Sequence, residues 1–126
     1  MKIKVRGHFD SAHLIPHHPT CGKIHGHRWE VEVVFEDEVK GGMVLDFKEA
    51  KNILKKILDE LDHKLLVQSL LPIPEDLADQ LVLTKEPTAE NLAQLIFTRL
   101  RKRLPTVEVT VWESPDCGAT YSEVSK

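Results

Sequence analysis

The chain has 126 residues, of which 41% are hydrophobic and 29% charged, with a formal net charge of −3. That length predicts one domain over 1–126 that buries roughly two thirds of its unfolded surface, and the balance excludes disordered, collagen-like and coiled-coil chains. The slight acidity argues against nucleic acid as a partner but leaves room for a local basic pocket facing an anionic small molecule.

The first strand is announced by Ile3, Val5 and Phe9 at odd positions, against Lys2, Lys4, Arg6 and His8 at even ones. Its charge alternation is unlike a signal peptide, and no apolar run approaches the ~20 residues of a membrane span. A cytoplasmic protein with reduced thiols is expected, so Cys21 and Cys117 are free for chemistry or packing. Pro16–Gly22 reads as a loop. From His25 to Glu36 the alternation returns, with Trp29, Val31, Val33 and Phe35 on one face and Arg28, Glu30, Glu32 and Glu36 on the other. Gly41-Gly42 ends this region.

Asp46, three before Glu49, predicts a helix N-cap, followed by a stripe of Phe47, Ala50, Ile53, Leu54, Ile57, Leu58 and Leu61. Pro72 and Pro74 lie in a long connection. Thr88 predicts a second cap, with the stripe Ala93, Ile96, Phe97, Leu100 and Leu104 ending at Pro105. Val107, Val109 and Val111 predict a third strand and Ala119 to Val124 a fourth. The order is strand, strand, helix, helix, strand, strand, an α+β class. A sheet with helices on one face leaves long edges open, which predicts an oligomer.

Histidine is the compositional anomaly: four of the seven lie between His8 and His18, and two more are His25 and His27. On a strand, His25 and His27 point to one face, and Gly26 between them removes bulk on the reverse face. His13 shares the core parity of Ile3, Val5 and Phe9, so an antiparallel neighbour would bring it beside the pair. Three histidines with an open fourth position suit catalytic zinc; ordinary loop or core histidines are the competing reading. Cys21, four residues before His25, is either a fourth ligand that closes the site or a thiolate that shuttles a proton. Asp62-His63 is either a carboxylate-oriented imidazole, which requires a turn, or a solvated helix end. Glu113 continues the parity of Val107–Val111, and its carboxylate there needs a donor unless the strand has already ended in water. An amino group and ring N–H of a heterocycle would satisfy both oxygens. Asp46 reads as a cap and His8, His17 and His18 as surface or loop residues.

Six segments in order resemble the 6-pyruvoyltetrahydropterin synthase and 6-carboxytetrahydropterin synthase family. They are Phe9–His13, Cys21–His27, Val44–Phe47, Leu61–Lys64, Pro87–Glu90 and Trp112–Ser114. The resemblance implies the tunnelling fold, a four-stranded antiparallel sheet with two helices between its hairpins (ββααββ). Three subunits would close a barrel and two trimers stack into a homohexamer with sites at the interfaces. It implies zinc on His13, His25 and His27, and Cys21 as the acid/base residue. Asp62 and His63 would relay protons from a neighbouring subunit, and Glu113 would anchor a pterin. The three residues between Cys21 and His25 resemble the 6-carboxytetrahydropterin branch, which acts toward 7-deazaguanine nucleosides such as queuosine or archaeosine. The pyruvoyl branch, which eliminates triphosphate, has a longer spacing. A third branch, making 6-hydroxymethyl-dihydropterin, carries a Glu near the His-Gly-His, and Cys21–His27 has none. A non-catalytic zinc- or pterin-binding module is the rival of a different class. Val67 after Leu66 and the charge of Asp10 depart from the family pattern. Lys23, Arg28 and Lys64 are candidates for holding the triphosphate by proximity alone.

Overall fold

Strand β1 (Lys2–His13) and strand β2 (His25–Glu36) form the long hairpin predicted from parity, paired antiparallel from Lys2↔Glu36 to His13↔His25. A computed structural model describes residues 1–15, 23–68 and 79–124. The loop Pro16–Gly22, with Cys21, His17 and His18, and the prolines Pro72 and Pro74 fall outside the described residues.

Helix α1 (Phe47–Asp59) starts where predicted: the Asp46 side chain accepts the Lys48 N–H at 2.8 Å. Short strands β3 (Leu65–Val67) and β4 (Leu81–Leu83) follow. Thr88 caps helix α2 (Ala89–Arg101) by accepting the Asn91 N–H at 3.2 Å. Strands β5 (Thr106–Ser114) and β6 (Cys117–Ser122) close the chain. The sheet runs β4-β3-β1-β2-β5-β6, with the four long strands antiparallel. The addition to the predicted four is the pair β3 and β4, parallel to β1 and to each other. Three residues are too few to show a two-residue period, so the sequence carries no signal for them.

Odd-parity residues of β1 and β2 meet the helices. Phe9, Trp29, Val31, Val33 and Phe35 are buried against Leu54, Leu58, Ile96, Phe97 and Leu100 in one cluster. Each large side chain sealed there contributes roughly 1.5–3 kcal/mol. Leu61 and Leu104 are buried just past the helix ends. Phe47 departs from its predicted stripe and is 57% exposed, because it opens the helix one turn ahead of Ala50, the first residue to reach the core. The opposite face of the hairpin carries exposed Lys2, Lys4, Arg6, His8, Arg28 and Glu30. β3 pairs with β1 only at Ala12 and His13, so the Lys2–Phe9 stretch has no outer strand among the described residues.

Gly7 sets how closely α1 approaches β1: a Cβ there would stand 2.9 Å from Leu58 Cδ1 and 3.3 Å from Leu54 Cδ2. At Gly26 the nearest atom to such a Cβ is the Ser11 carbonyl oxygen at 3.9 Å, so packing within the chain does not demand glycine between the two histidines. Gly7→Val is therefore expected to destabilise by about 1–3 kcal/mol in urea unfolding. Gly26→Ala should stay within about 0.5 kcal/mol of the parent.

Candidate metal centre and active site

The β1–β2 register places His13 directly opposite His25 and Ser11 opposite His27. The three imidazoles consequently pack edge to face, with centroids 4.4, 5.0 and 4.8 Å apart. Trp29 floors them, 5.0 Å from His13 and 5.4 Å from His27, and is itself fixed by donating its indole N–H to the Ser11 carbonyl at 3.1 Å.

His13 is fully buried, and its Nδ1 lies 2.7 Å from the Pro87 carbonyl oxygen. His25 Nδ1 lies 2.7 Å from the Lys23 carbonyl oxygen. A carbonyl only accepts, so both Nδ1 atoms carry the proton and both Nε2 atoms present lone pairs. Those Nε2 atoms stand 2.7 Å apart, a separation two lone pairs tolerate only around a shared cation, proton or metal. His27 Nε2 is buried without a hydrogen-bond partner: Glu113 Oε1 is 3.1 Å away but misaligned for a bond. Glu113 Oε1 also lies 3.8 Å from His13 Nε2. The four candidate ligand atoms fall within 4.8 Å of one another.

Burial pushes the pKa values of His13 and His27 below the usual histidine value, outweighing the Pro87 bond to His13 and the charge of Glu113 beside both. Neutral imidazoles are the form that binds a metal. Three histidines, main-chain carbonyls orienting two of them, and a carboxylate at the rim form a donor set that fits a zinc-type ion.

Glu113, read from the sequence as a substrate anchor, is thus brought into the histidine group. It also lines a cleft of about 610 Å³ with His27, Arg28, Glu30 and Trp112. Cys21 lies outside the described residues. Cys117 is exposed with a free thiol.

Asp62 and His63 do bond each other, Nδ1 to Oδ2 at 2.8 Å. The turn this needs is present: His63 has φ 54°, a left-handed conformation that ends the chain's descent from α1. The Asp10 N–H donates to Asp62 Oδ1 at 2.8 Å. That bond holds the Asp62 carboxyl below the usual carboxylate range, against a smaller upward push from burial, with His63 adding to the lowering. The His63 side chain is 80% exposed and faces a second cleft, of about 830 Å³, with His8, Lys48 and Lys51. The two clefts have only Arg6 in common, so the chain gathers the histidines with Glu113 but keeps Asp62–His63 apart from them.

Sequence reasoning missed the Pro87 and Lys23 carbonyls, since a main-chain acceptor leaves no mark in residue type. It also missed that Arg28, a triphosphate candidate, is engaged by Asp10 through two hydrogen bonds. Extending the hairpin register from His13↔His25 would have found that pair.

Fold and site together define an α+β protein with a histidine-rich cluster able to hold a metal on an antiparallel hairpin. Residues 2–124 match the family model described as 6-pyruvoyl tetrahydropterin synthase. An Archaeoglobus fulgidus protein, provisionally named 6-carboxy-5,6,7,8-tetrahydropterin synthase, is 36% identical over 118 residues, covering 92% of this chain and 90% of its own. The 6-carboxy-5,6,7,8-tetrahydropterin synthase of Haemophilus influenzae is 31% identical, covering 97% of this chain and 99% of its own. The dihydroneopterin monophosphate aldolase of Pyrococcus furiosus is 32% identical, covering 93% of both chains. Among solved structures, the Caenorhabditis elegans 6-pyruvoyl tetrahydropterin synthase superposes with a TM-score of 0.78 at 24% identity, covering 98% of this chain and 96% of that one. The chain belongs to the 6-pyruvoyl tetrahydropterin synthase family.

Because the Asp62 pKa is lowered on folding, its stabilising contribution is fully present above the unfolded value near ~4 and is lost as pH falls through the folded value. Asp62→Asn should therefore lower the denaturant midpoint at about pH 7, and its deficit against the parent should shrink toward about pH 3. Parallel denaturant titrations across that range check it.

Proposed function

We propose that the protein is a zinc-dependent 6-carboxy-5,6,7,8-tetrahydropterin synthase. It would convert 7,8-dihydroneopterin triphosphate and water to 6-carboxytetrahydropterin, acetaldehyde and triphosphate, a lyase reaction toward 7-deazaguanine nucleosides. In it a carbon–oxygen bond breaks to release triphosphate, and water then cleaves the side-chain carbon–carbon bond to release acetaldehyde. The observation that carries this reading is the convergence of His13, His25, His27 and Glu113 in a chain of this family. The branch is supported by the names of the Archaeoglobus and Haemophilus relatives and by the three residues between Cys21 and His25.

His13, His25 and His27 would hold the ion through Nε2. When bound, zinc supplies Lewis-acid polarisation of the substrate's side-chain oxygens. Glu113, at the junction of the histidine group and the 610 Å³ cleft, offers its carboxylate to the amino group and ring N–H of the pterin. Cys21 moves protons on and off the side-chain carbons. Asp62 occupies Nδ1 of His63 and so leaves Nε2 as the nitrogen that exchanges a proton.

His63 faces a cleft away from its own chain's histidine group, which supports a relay that serves a neighbour's site. The Lys2–Phe9 edge of β1 and the outer edge of β6 lie at opposite ends of the long-stranded sheet. Head-to-tail pairing of such edges closes a ring, here a trimeric barrel with two trimers stacked as a hexamer. A working Cys21 thiol fits the reducing cytoplasm.

A second reading is favoured by the Pyrococcus relative: carbon–carbon cleavage of a dihydroneopterin monophosphate. Zinc-loaded protein is incubated with each substrate under reducing, anaerobic conditions, and acetaldehyde and pterin mass are followed. Acetaldehyde with a 6-carboxy product supports the synthase. A 6-pyruvoyl product without acetaldehyde moves the assignment to the pyruvoyl branch, and cleavage of the monophosphate alone moves it to the aldolase. Unchanged substrates favour a zinc- or pterin-binding module. In the same assay, His27→Ala should lose bound zinc. Cys21→Ala should keep zinc and lose turnover by about 100-fold or more, the scale of an acid/base group; loss of zinc instead would make Cys21 a ligand.

A further inference from the structure

Asp10 stands where β1, β2 and the loop after α1 meet. Its main-chain N–H donates to Asp62 Oδ1 at 2.8 Å, and its carbonyl accepts the His63 N–H at 2.6 Å. One residue thus grips both members of the pair through its main chain. The side chain of Asp10 points across the hairpin instead. Arg28 Nε donates to Oδ1 at 2.8 Å and Arg28 Nη2 to Oδ2 at 3.1 Å. Asp10 and Arg28 are direct register partners, and Arg28 follows the candidate ligand His27.

The loop is fastened to β1 beyond Asp10 as well. The Ser11 hydroxyl donates to the Leu61 carbonyl and accepts the Lys64 N–H at 3.1 Å. The Ala12 N–H donates to the Lys64 carbonyl at 3.0 Å. Leu61 and Lys64 are therefore held by Ser11 and Ala12, while Asp62 and His63 are held by Asp10 alone among these three residues. The orientation of the pair accordingly follows that of Asp10.

The side chains of Asp10 and Arg28 are 39% and 60% exposed, so the ion pair adds little to global stability. Its geometry is the informative part. A planar guanidinium meeting both oxygens of a carboxylate restrains the acceptor in a way that an ammonium does not. The Arg28 charge also offsets that of Asp10, which would otherwise face the Asp62 carboxylate unscreened.

We propose that Asp10 and Arg28 are positioning residues for the proton relay. The Arg28 fork fixes Asp10, and the Asp10 main chain sets the angle at which Asp62 presents His63, tying the relay to the strand that carries His25 and His27. The proposal rests on the reading of Asp62–His63 as that relay. It also removes the Arg28 fork from the groups available to hold a triphosphate.

The test uses the zinc-loaded full chain with Arg28→Gln, Arg28→Lys and Asp10→Asn, read by kcat, KM, zinc content and the ring ¹⁵N shifts of His63 in histidine-labelled protein. The three variants should lower kcat by about 10-fold, keep KM within about twofold and leave zinc content unchanged. The His63 ring pattern should move away from the Nδ1-protonated form. Arg28→Lys keeps the charge, so a loss there as well assigns the effect to the fork. A raised KM with unchanged kcat would overturn the proposal and make Arg28 a substrate contact. Unchanged kcat and an unmoved His63 pattern would overturn it as well. His63→Ala separates this from the relay reading: full turnover there sinks the relay. The ring pattern in Arg28→Gln needs no turnover and still decides whether Arg28 orients His63.

Discussion

The register of β1 against β2 is the constraint from which the rest of the site follows. With His13 opposite His25, the period of two brings His27 to the same face and leaves Arg28 opposite Asp10 on the other. A slip of one residue would turn His25 and His27 to the open face and send Arg28 and Glu30 into the core. Apolar parity protects against that slip, because Trp29, Val31, Val33 and Phe35 would all leave the core together. The hydrophobic pattern that folds the hairpin is also what aims the imidazoles. The aim of the candidate ligands and the packing of the core are a single selection on this strand pair.

Burial then gives the histidines their chemistry. An imidazolium in an apolar wall is costly, so desolvation pushes the pKa values of His13 and His27 down and favours their neutral form. Neutrality alone leaves the tautomer open. The Pro87 and Lys23 carbonyls fix it by occupying Nδ1 of His13 and His25, which commits Nε2 to the interior of the cluster. Pro87 directly precedes Thr88, the cap of α2, so the start of that helix does two things at once. Its Thr88 hydroxyl satisfies the helix, and the carbonyl before it orients the candidate ligand His13 on β1. The link between α2 and the site is carried by main chain.

Parity made the long hairpin, the inward aim of His13, His25 and His27 and both helix caps legible in the sequence. Periods of 2 and 3.6 residues are written in side-chain type, and caps in the few residues that can accept a main-chain N–H. What escaped is of another kind. β3 and β4 are three residues each, below the length at which a period exists. The link between Asp62 and His63 depends on a left-handed backbone at His63, which no neighbour in sequence dictates. Glu113 was placed by parity at the end of β5, but its closeness to His27 follows from how far β5 runs beside β2. The register between those strands shifts at Val34/Phe35, and that between β5 and β6 shifts at Trp112/Ser114. Such irregularities re-aim side chains at strand ends and are invisible to an alternation count.

The separation of the two clefts bears on assembly. Within one chain His27 and Glu113 open on one cleft and His63 on another, with Arg6 at their common edge. A proton relay must approach its substrate within hydrogen-bond reach. A chain that holds Asp62–His63 this firmly to β1, through Asp10, cannot swing the pair round to its own histidine group without breaking the Asp10 bonds to Asp62 and His63. Rigid attachment in one subunit is an obstacle only if that subunit works alone. In the proposed ring closed edge to edge, the same attachment would hold the proposed relay in register with the strand that meets the neighbour. In that proposed assembly, fixing His63 on β1 would also fix it against the next subunit's histidines, and the β1–β2 register that gathers one set of candidate residues would locate the other.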